Sequence, residues 1–174
     1  MTAVLMHETP AVLQEWLDRR RALGQDGFDE VWDGVYHVVP MAHGRQGATE
    51  HEVAFALRPF VKAAGLRSSG PINIGGPHDY RVPDGALFRA PETALWNPTA
   101  AVVIEVLSPD DESRLKFDFY FRAGVEEVLL VDPLERTVEW FVRGDTAFVA
   151  ADRSALLGVS TVYLTDGIEW PDRG

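Results

Sequence analysis

Apolar residues recur at helical spacing in two parts of the amino-terminal half of the chain. The first run, residues 10–24, opens with a proline and closes with a glycine, as helices often do. The second, residues 48–64, places Val53 and Leu57 on one face and ends at a glycine. Both patterns predict amphipathic helices, and Pro59 is expected to kink the second.

Short runs rich in β-branched residues predict strands between and after these helices. They cover residues 28–32 and 35–39, joined by a tight turn at Asp33-Gly34, then about 80–89, 101–107, 127–131 and 137–142, with weaker signals in 66–80, 146–150 and 160–164. After the run 101–107, Ser108, Pro109 and Asp111 are expected to cap a helix that continues to Ala123.

No interdomain linker interrupts this order of helices and strands. We therefore predict one α/β (α+β) domain over residues 1–174, in which helices flank a central mixed β-sheet. An N-terminal helix and a β-hairpin precede the sheet, and the remaining strands fall within residues 143–174.

Composition narrows the class of protein. The chain of 174 residues is 46% hydrophobic and 25% charged, and it contains no cysteine, so disulfides and thiolate metal sites are excluded. No apolar stretch is long enough to span a membrane, and the amino terminus lacks a signal-peptide pattern, which favours a soluble, cytoplasmic protein. The net charge of −11 argues against a protein that only coats nucleic acid, but bound divalent cations can reverse the sign of an acidic site.

Glu105 is an isolated acid in the apolar run 101–107. Removing an ionised carboxylate from water costs several kcal/mol unless a cation compensates. Because alternate residues of a strand share a face, Glu105 should lie beside Val103 and Leu107. The predicted helix that follows turns back over the sheet and offers Lys116.

Asp84, Glu105 and Lys116 together suggest a magnesium site. Two carboxylates supply the hard oxygen ligands that Mg²⁺ prefers, and an amine can orient water or offset charge on a phosphate.

Each residue also has a structural explanation. Residues 82–85 have the composition of a turn, Lys116 could pair with Glu112 on a helix surface, and Glu105 could pair with Arg81 or Arg89. The chain contains only two lysines among 16 basic residues, however, so a lysine at 116 modestly favours a functional role.

Several segments resemble the Uma-two family of endonucleases. The resemblance is carried by Pro83-Asp84, residues 103–109, Lys116 four residues before Tyr120, residues 123–125 and 131–133, and, less strongly, residues 30–34 and His51. It covers about residues 10–142 and implies the restriction-endonuclease-like fold of the PD-(D/E)XK nuclease superfamily. Gly85 departs from the family, which tends to have a β-branched residue there.

Carried over by position, the resemblance implies that Asp84 and Glu105 bind Mg²⁺ or Mn²⁺ with the main-chain carbonyl of Val106. It also implies that Lys116 supplies the lysine that the wider superfamily has two residues after the acid, where this chain has Leu107. Weaker transfers place Glu30 near a second metal and His51 in the lining of the site.

The expected function is therefore metal-dependent hydrolysis of phosphodiester bonds in nucleic acid, DNA rather than RNA, by a homodimer. Two alternatives remain at this point. One is a catalytically inactive module of the same fold that binds a protein partner, and the other is a phosphoesterase acting on a small molecule.

Overall fold

The computed structural model describes residues 2–5, 10–39, 44–90, 94–109 and 112–172. Its helices are α1 (Ala11–Ala22), α2 (Gly44–Ala63), α3 (Phe117–Arg122) and α4 (Thr161–Gly167), and a 3-10 helix (Ser113–Lys116) leads directly into α3. Its strands are β1 (Thr2–Leu5), β2 (Glu30–Trp32), β3 (Val35–Val38), β4 (Arg67–Ser69), β5 (Asn73–Gly76), β6 (Asp79–Arg81), β7 (Gly85–Phe88), β8 (Trp96–Asn97), β9 (Val102–Val106), β10 (Glu127–Asp132), β11 (Thr137–Arg143) and β12 (Phe148–Ala151).

The strands form two mixed sheets of six strands each, in the orders β1-β3-β2-β6-β5-β8 and β12-β11-β10-β9-β7-β4. Within the second sheet β9 runs parallel to β10 and antiparallel to β7. The predicted α+β class, the N-terminal helix and the β2–β3 hairpin are confirmed, although the strands divide between two sheets instead of forming one central sheet.

Strand β9 lies at the centre of the core and is buried on both faces. Val102, Ile104 and Val106 pack into one apolar cluster with the buried face of α2. Val103 packs into the other cluster, which contains Tyr120 of α3. This alternation places Glu105 on the α3 side of the sheet, as the strand period predicts.

The segment before α3 differs from the sequence prediction. The helix begins at Ser113, not directly after Ser108, so Ser108 and Pro109 are not its cap and first turn; Asp111 lies outside the described residues. Ser113 is buried and its hydroxyl lies 3.4 Å from a Glu105 oxygen.

Two predicted strands are also wrong. Residues 80–89 belong to β6 and β7, which lie in different sheets, with a bend at Asp84 between them. Residues 161–164 belong to α4, and Ser160 caps its amino end by accepting a hydrogen bond from the Tyr163 amide. Leu164 and Ile168, one turn apart, enter the core. Burial of these two residues at helical spacing outweighs the local strand propensity.

Helix α2 begins four residues earlier than predicted and continues through Pro59 without a break. Its early first turn carries Gln46, which reaches the site described below. In the described ranges no helix is both long and apolar enough to cross a membrane.

Candidate active site

The antiparallel pairing of β7 with β9 positions Asp84 beside the acidic strand. Gly85 pairs with Ile104, and continuing this register by one residue sets Asp84 opposite Glu105. One Asp84 oxygen accepts a hydrogen bond from the Val106 amide at 2.6 Å, and the other accepts one from the Gln46 side chain at 3.0 Å. Gly85 therefore leaves the strand pairing intact, and Asp84 is held at the end of the sheet between β9 and α2.

Glu105 is 3% exposed, and its hydrogen-bond donors in the described part of the chain come from the 3-10 helix and α3. Tyr120 donates its hydroxyl to Oε1, and Ser113 and Lys116 contact Oε2 at 3.4 and 3.2 Å. Tyr120 follows Lys116 by one helical turn, so both side chains reach the same carboxylate. Both side chains therefore contact Glu105 from the same side of the sheet.

Lys116 is buried, with 5% of its surface exposed, and it bridges two carboxylates. Its Nζ atom lies 2.9 Å from a Glu30 oxygen and 3.1 Å from Oε1 of Glu105. A surface pair with Glu112 is therefore not its role.

The proposed arginine partners of Glu105 are also wrong, because these side chains bind other acids. Arg81 binds Asp79 at 2.8 Å, and Arg89 binds Glu126 at 2.7 Å.

Glu30 comes from the β2–β3 hairpin of the other sheet and completes this group. Its Oε1 accepts a hydrogen bond from the Val82 amide at 2.7 Å in addition to the Lys116 contact, and its Oε2 accepts one from the Trp32 indole at 2.6 Å. The buried carboxylate of Glu30 thus connects the hairpin both to Val82, two residues before Asp84, and to Lys116. In this structure Glu30 holds Lys116 in place.

The charges of this site do not balance. Glu30, Asp84 and Glu105 surround the single ammonium of Lys116, which leaves an excess of two negative charges when all three acids are ionised. Burial, opposed in part by Lys116 and reinforced by Asp84, raises the pKa of Glu105 to about 8. Burial also raises the pKa of Asp84 to about 6, and the carboxylates around Lys116 raise its pKa despite burial. An additional cation would offset this excess.

The oxygen donors suit a hard divalent cation in part. Among the described residues no three acidic or histidine side chains gather closely enough to enclose an ion. Asp84 and Glu105 nevertheless supply two opposed carboxylates, and the excess negative charge favours a cation there. Mg²⁺ commonly binds through one or two carboxylates, with water and phosphate oxygens completing its shell, so this smaller donor set fits it.

An open groove runs from Asp84 along α2, and we call it the α2 groove. It has a volume of about 480 Å³ and is lined by α2, by β4 and the turn after it, and by residues 84, 85, 87 and 104. His51 lines it and is exposed, with its Nδ1 atom 3.0 Å from the Gly47 carbonyl oxygen. Because that carbonyl can only accept, Nδ1 is the donor in this contact.

The structure therefore brings Glu105, Lys116 and Glu30 into one buried group with the half-buried Asp84 beside it. His51 lies in the adjoining groove. Sequence reasoning missed Gln46 and Ser113 and gave Tyr120 no partner. Ser113, Lys116 and Tyr120 are three and four residues apart, which is helical spacing. This spacing could have indicated that Ser113 and Tyr120 reach the same carboxylate as Lys116. Nothing local marks Gln46, which meets Asp84 across 38 residues of sequence.

Comparison with known proteins identifies the fold and the family of this chain. A protein structure described as a "putative nuclease belonging to DUF820", from Anabaena variabilis ATCC 29413, superposes with a TM-score of 0.62 and 21% identity. The match covers 79% of this chain and 89% of that one, which shows a shared fold. No curated protein matches the sequence. The family model Uma2, described as "putative restriction endonuclease", matches residues 14–168, nearly the whole chain. The chain therefore belongs to the Uma2 family of putative restriction endonucleases.

Proposed function

We propose that this protein is an endonuclease that hydrolyses phosphodiester bonds in DNA with Mg²⁺ or Mn²⁺. The observation that carries the proposal is the convergence of Asp84, Glu105 and Lys116 from separate elements in a chain of this family. Burying several carboxylates around one amine lowers the stability of the fold. Such a cost is typical of a functional site, and this combination of groups can serve phosphodiester hydrolysis.

Asp84 and Glu105, with the main-chain carbonyl of Val106, would hold the metal. A divalent ion held by these residues would supply Lewis acidity for activating water and positive charge to offset that of the phosphate. The hydrogen bonds that Asp84 accepts from Val106 and Gln46 fix its orientation at the end of the sheet. Tyr120 does the same for Glu105 from the opposite side.

Lys116 would supply the positively charged side chain next to the phosphate. Its pKa is raised by the surrounding carboxylates, so the amine stays protonated at neutral pH and acts as a hydrogen-bond donor. In that state it orients the attacking water and stabilises negative charge that develops on the phosphate, but it does not remove a proton. Glu30 is a positioning residue that fixes the ammonium without touching the substrate.

Cleavage assays test the proposal directly. Purified protein incubated with plasmid DNA and short duplexes in Mn²⁺ or Mg²⁺ should cut the DNA, and Glu105→Ala should lower the rate at least about a thousandfold through loss of the metal and its oriented water. The control is Glu126→Ala, because Glu126 is a half-exposed acid paired with Arg89. It directly precedes β10, whose first residue pairs with Val102, at the other end of β9 from Glu105. Equal cleavage by wild type and Glu105→Ala would contradict the assignment.

An inactive module of the same fold is the second candidate, and one observation favours it. Each oxygen of Asp84 and Glu105 already accepts a hydrogen bond from a protein donor, so the group is satisfied in part without a metal. Isothermal titration with Mg²⁺ or Mn²⁺ separates the two. An active enzyme should bind the ion at millimolar concentration, and Asp84→Asn should abolish that heat; no binding by wild type would favour the module.

The proposal includes a homodimer. One chain contributes one Asp84–Glu105–Lys116 group, and a symmetric dimer would present one such group to each strand of a duplex. Sedimentation velocity should therefore give the mass of two chains.

A further inference from the structure

One exposed face of α2 carries aromatic and basic residues in a stripe that starts beside the candidate active site. His51, Phe55, Arg58 and Lys62 follow each other at intervals of four, three and four residues, which places them on one side of the helix. All four are exposed and line the α2 groove, next to the buried face formed by Val53, Leu57 and Val61. The stripe extends about 16 Å, the rise of four to five stacked nucleotides at about 3.4 Å each.

Phe55 is the most unusual member of the stripe. Its side chain is 64% exposed, although an aromatic ring of this size normally gains free energy by burial. Its ring lies 6.4 Å from the His51 ring, so the two form an aromatic surface at the mouth of the groove. Such a surface suits stacking of a nucleobase, which requires no particular base.

The far end of the groove is basic. Arg58 and Lys62 of α2 face the same groove as Arg67 of β4, and all three side chains are exposed. Within the part of the chain that the structure describes, none of the three forms an ion pair with an acid. The acids of the groove, Glu50 and Asp84, lie toward its other end. Free cations at one end and the candidate metal ligand at the other match a polyanion whose reacting phosphate sits at Asp84.

The middle of the groove has the character of a ligand site. Its volume of about 480 Å³ is typical of small-molecule sites, and its walls are mostly apolar. Gly85 and Ile104 form part of its wall beside Asp84. The net charge of −11 does not oppose an anionic ligand, since charge beyond about 8 Å is largely screened in physiological salt.

We propose that the α2 groove binds a single DNA strand that is unpaired next to the cleavage site. One base stacks on Phe55 and enters the apolar groove, and Arg58, Lys62 and Arg67 bind phosphates on one side of it. This inference rests on the proposed nuclease function and specifies its substrate as a duplex with an unpaired segment, or a single strand, in preference to a perfect duplex. The groove then determines where along the strand the scissile phosphate meets Asp84.

Binding in EDTA tests this independently of cleavage, because no reaction occurs without metal. The probe is a fluorescein-labelled single-stranded oligodeoxynucleotide of about 12 nucleotides, with the matching duplex as competitor. Phe55→Leu should weaken binding of the single strand about tenfold, because it retains apolar volume but loses the ring. The control Tyr163→Leu removes another exposed ring, on α4, and should leave affinity unchanged.

Salt dependence supplies a measurement that a purely structural effect would not alter. The double variant Arg58→Gln with Lys62→Gln should reduce the slope of log K against log salt by about 1.4, as expected for two lost contacts to a single strand. Phe55→Leu should leave that slope unchanged. Arg122→Gln with Arg153→Gln makes the same change of net charge on exposed basic residues outside the groove and should leave both slope and affinity near wild type.

The possible results separate this inference from the proposed function. The inference would be overturned if wild type did not bind the single strand. It would also be overturned if the duplex bound equally well and Phe55→Leu had no effect, or if the two double charge variants had equal effects. None of those results would contradict the proposed nuclease activity, which is tested separately by cleavage of duplex DNA in Mn²⁺. Conversely, loss of single-strand affinity on changing the groove, without cleavage by any protein, would support the groove and refute the proposed activity.

Discussion

Replacing Lys116 by methionine is expected to lower the free energy of unfolding by about 3–5 kcal/mol at neutral pH and to abolish cleavage. Methionine retains most of the buried volume, so the change removes mainly the charge. Glu30 and Glu105 would then lose their common cation, and the buried Glu30 carboxylate would be left without its ion pair. Urea denaturation followed by tryptophan fluorescence measures the stability, and the plasmid assay measures the activity.

The matched control for this variant is Arg122→Met, which removes a basic side chain that is 60% exposed and 4.0 Å from an exposed acid. Exposed pairs contribute at most about 1 kcal/mol, so both stability and activity should stay near wild type. A Lys116→Met protein as stable as this control at pH 7 would show that the buried carboxylates do not need the lysine. That result would contradict the charge distribution described here.

Glu105→Gln is expected to have the opposite effect on stability while also abolishing cleavage. The amide keeps the shape of the side chain but removes one of the two excess negative charges, and Lys116 keeps Glu30 as its partner. We therefore expect the metal-free variant to be more stable than wild type by about 1–2 kcal/mol at pH 8, a gain typical of relieving a strained functional site. Its activity should be lost, because an amide is a poor metal ligand.

The pH dependence gives the sign of this effect. The pKa of Glu105 is about 8 in the folded protein and 4.5 in the unfolded chain, so the folded state binds the additional proton between these values. The stability of the wild type should therefore fall as pH rises from about 4.5 to about 8, and the Asp84 carboxyl, with a pKa of about 6, should add to this fall from 3.8 upward. Glu105→Gln should flatten the part of this curve above pH 6.

Thermal unfolding with and without millimolar Mg²⁺ completes the test. A ligand that binds only the folded state raises its stability, so Mg²⁺ should raise the Tm of wild type and leave that of Glu105→Gln unchanged. Glu126→Gln, which removes a half-exposed carboxylate, should respond to pH and Mg²⁺ as wild type does. If the metal-free Glu105→Gln protein were less stable than wild type at pH 8, the prediction would be wrong. The ammonium of Lys116 would then fully offset the negative charge of the carboxylates around it.

The order of most secondary structure elements, and the faces of the central strand, were predictable from the sequence. Burial of β9 follows from its run of β-branched residues, and the two-residue period assigns Glu105 to the face of Val103. The stripe of Lys116 and Tyr120 follows equally from helical spacing. These features depend on periodicity within one element, so neighbouring residues are sufficient to specify them.

What the sequence alone determined about this protein is therefore an acid in a buried strand, a nearby acid at Asp84 and a lysine on the following helix. Only the tertiary structure decided that Lys116 bridges to Glu30 across 86 residues of sequence, that Gln46 meets Asp84, and that residues 161–167 form a helix. These outcomes depend on which surfaces pack together and on charges that meet through space. No local pattern records such contacts, because their free energy arises only when distant parts of the chain are buried side by side.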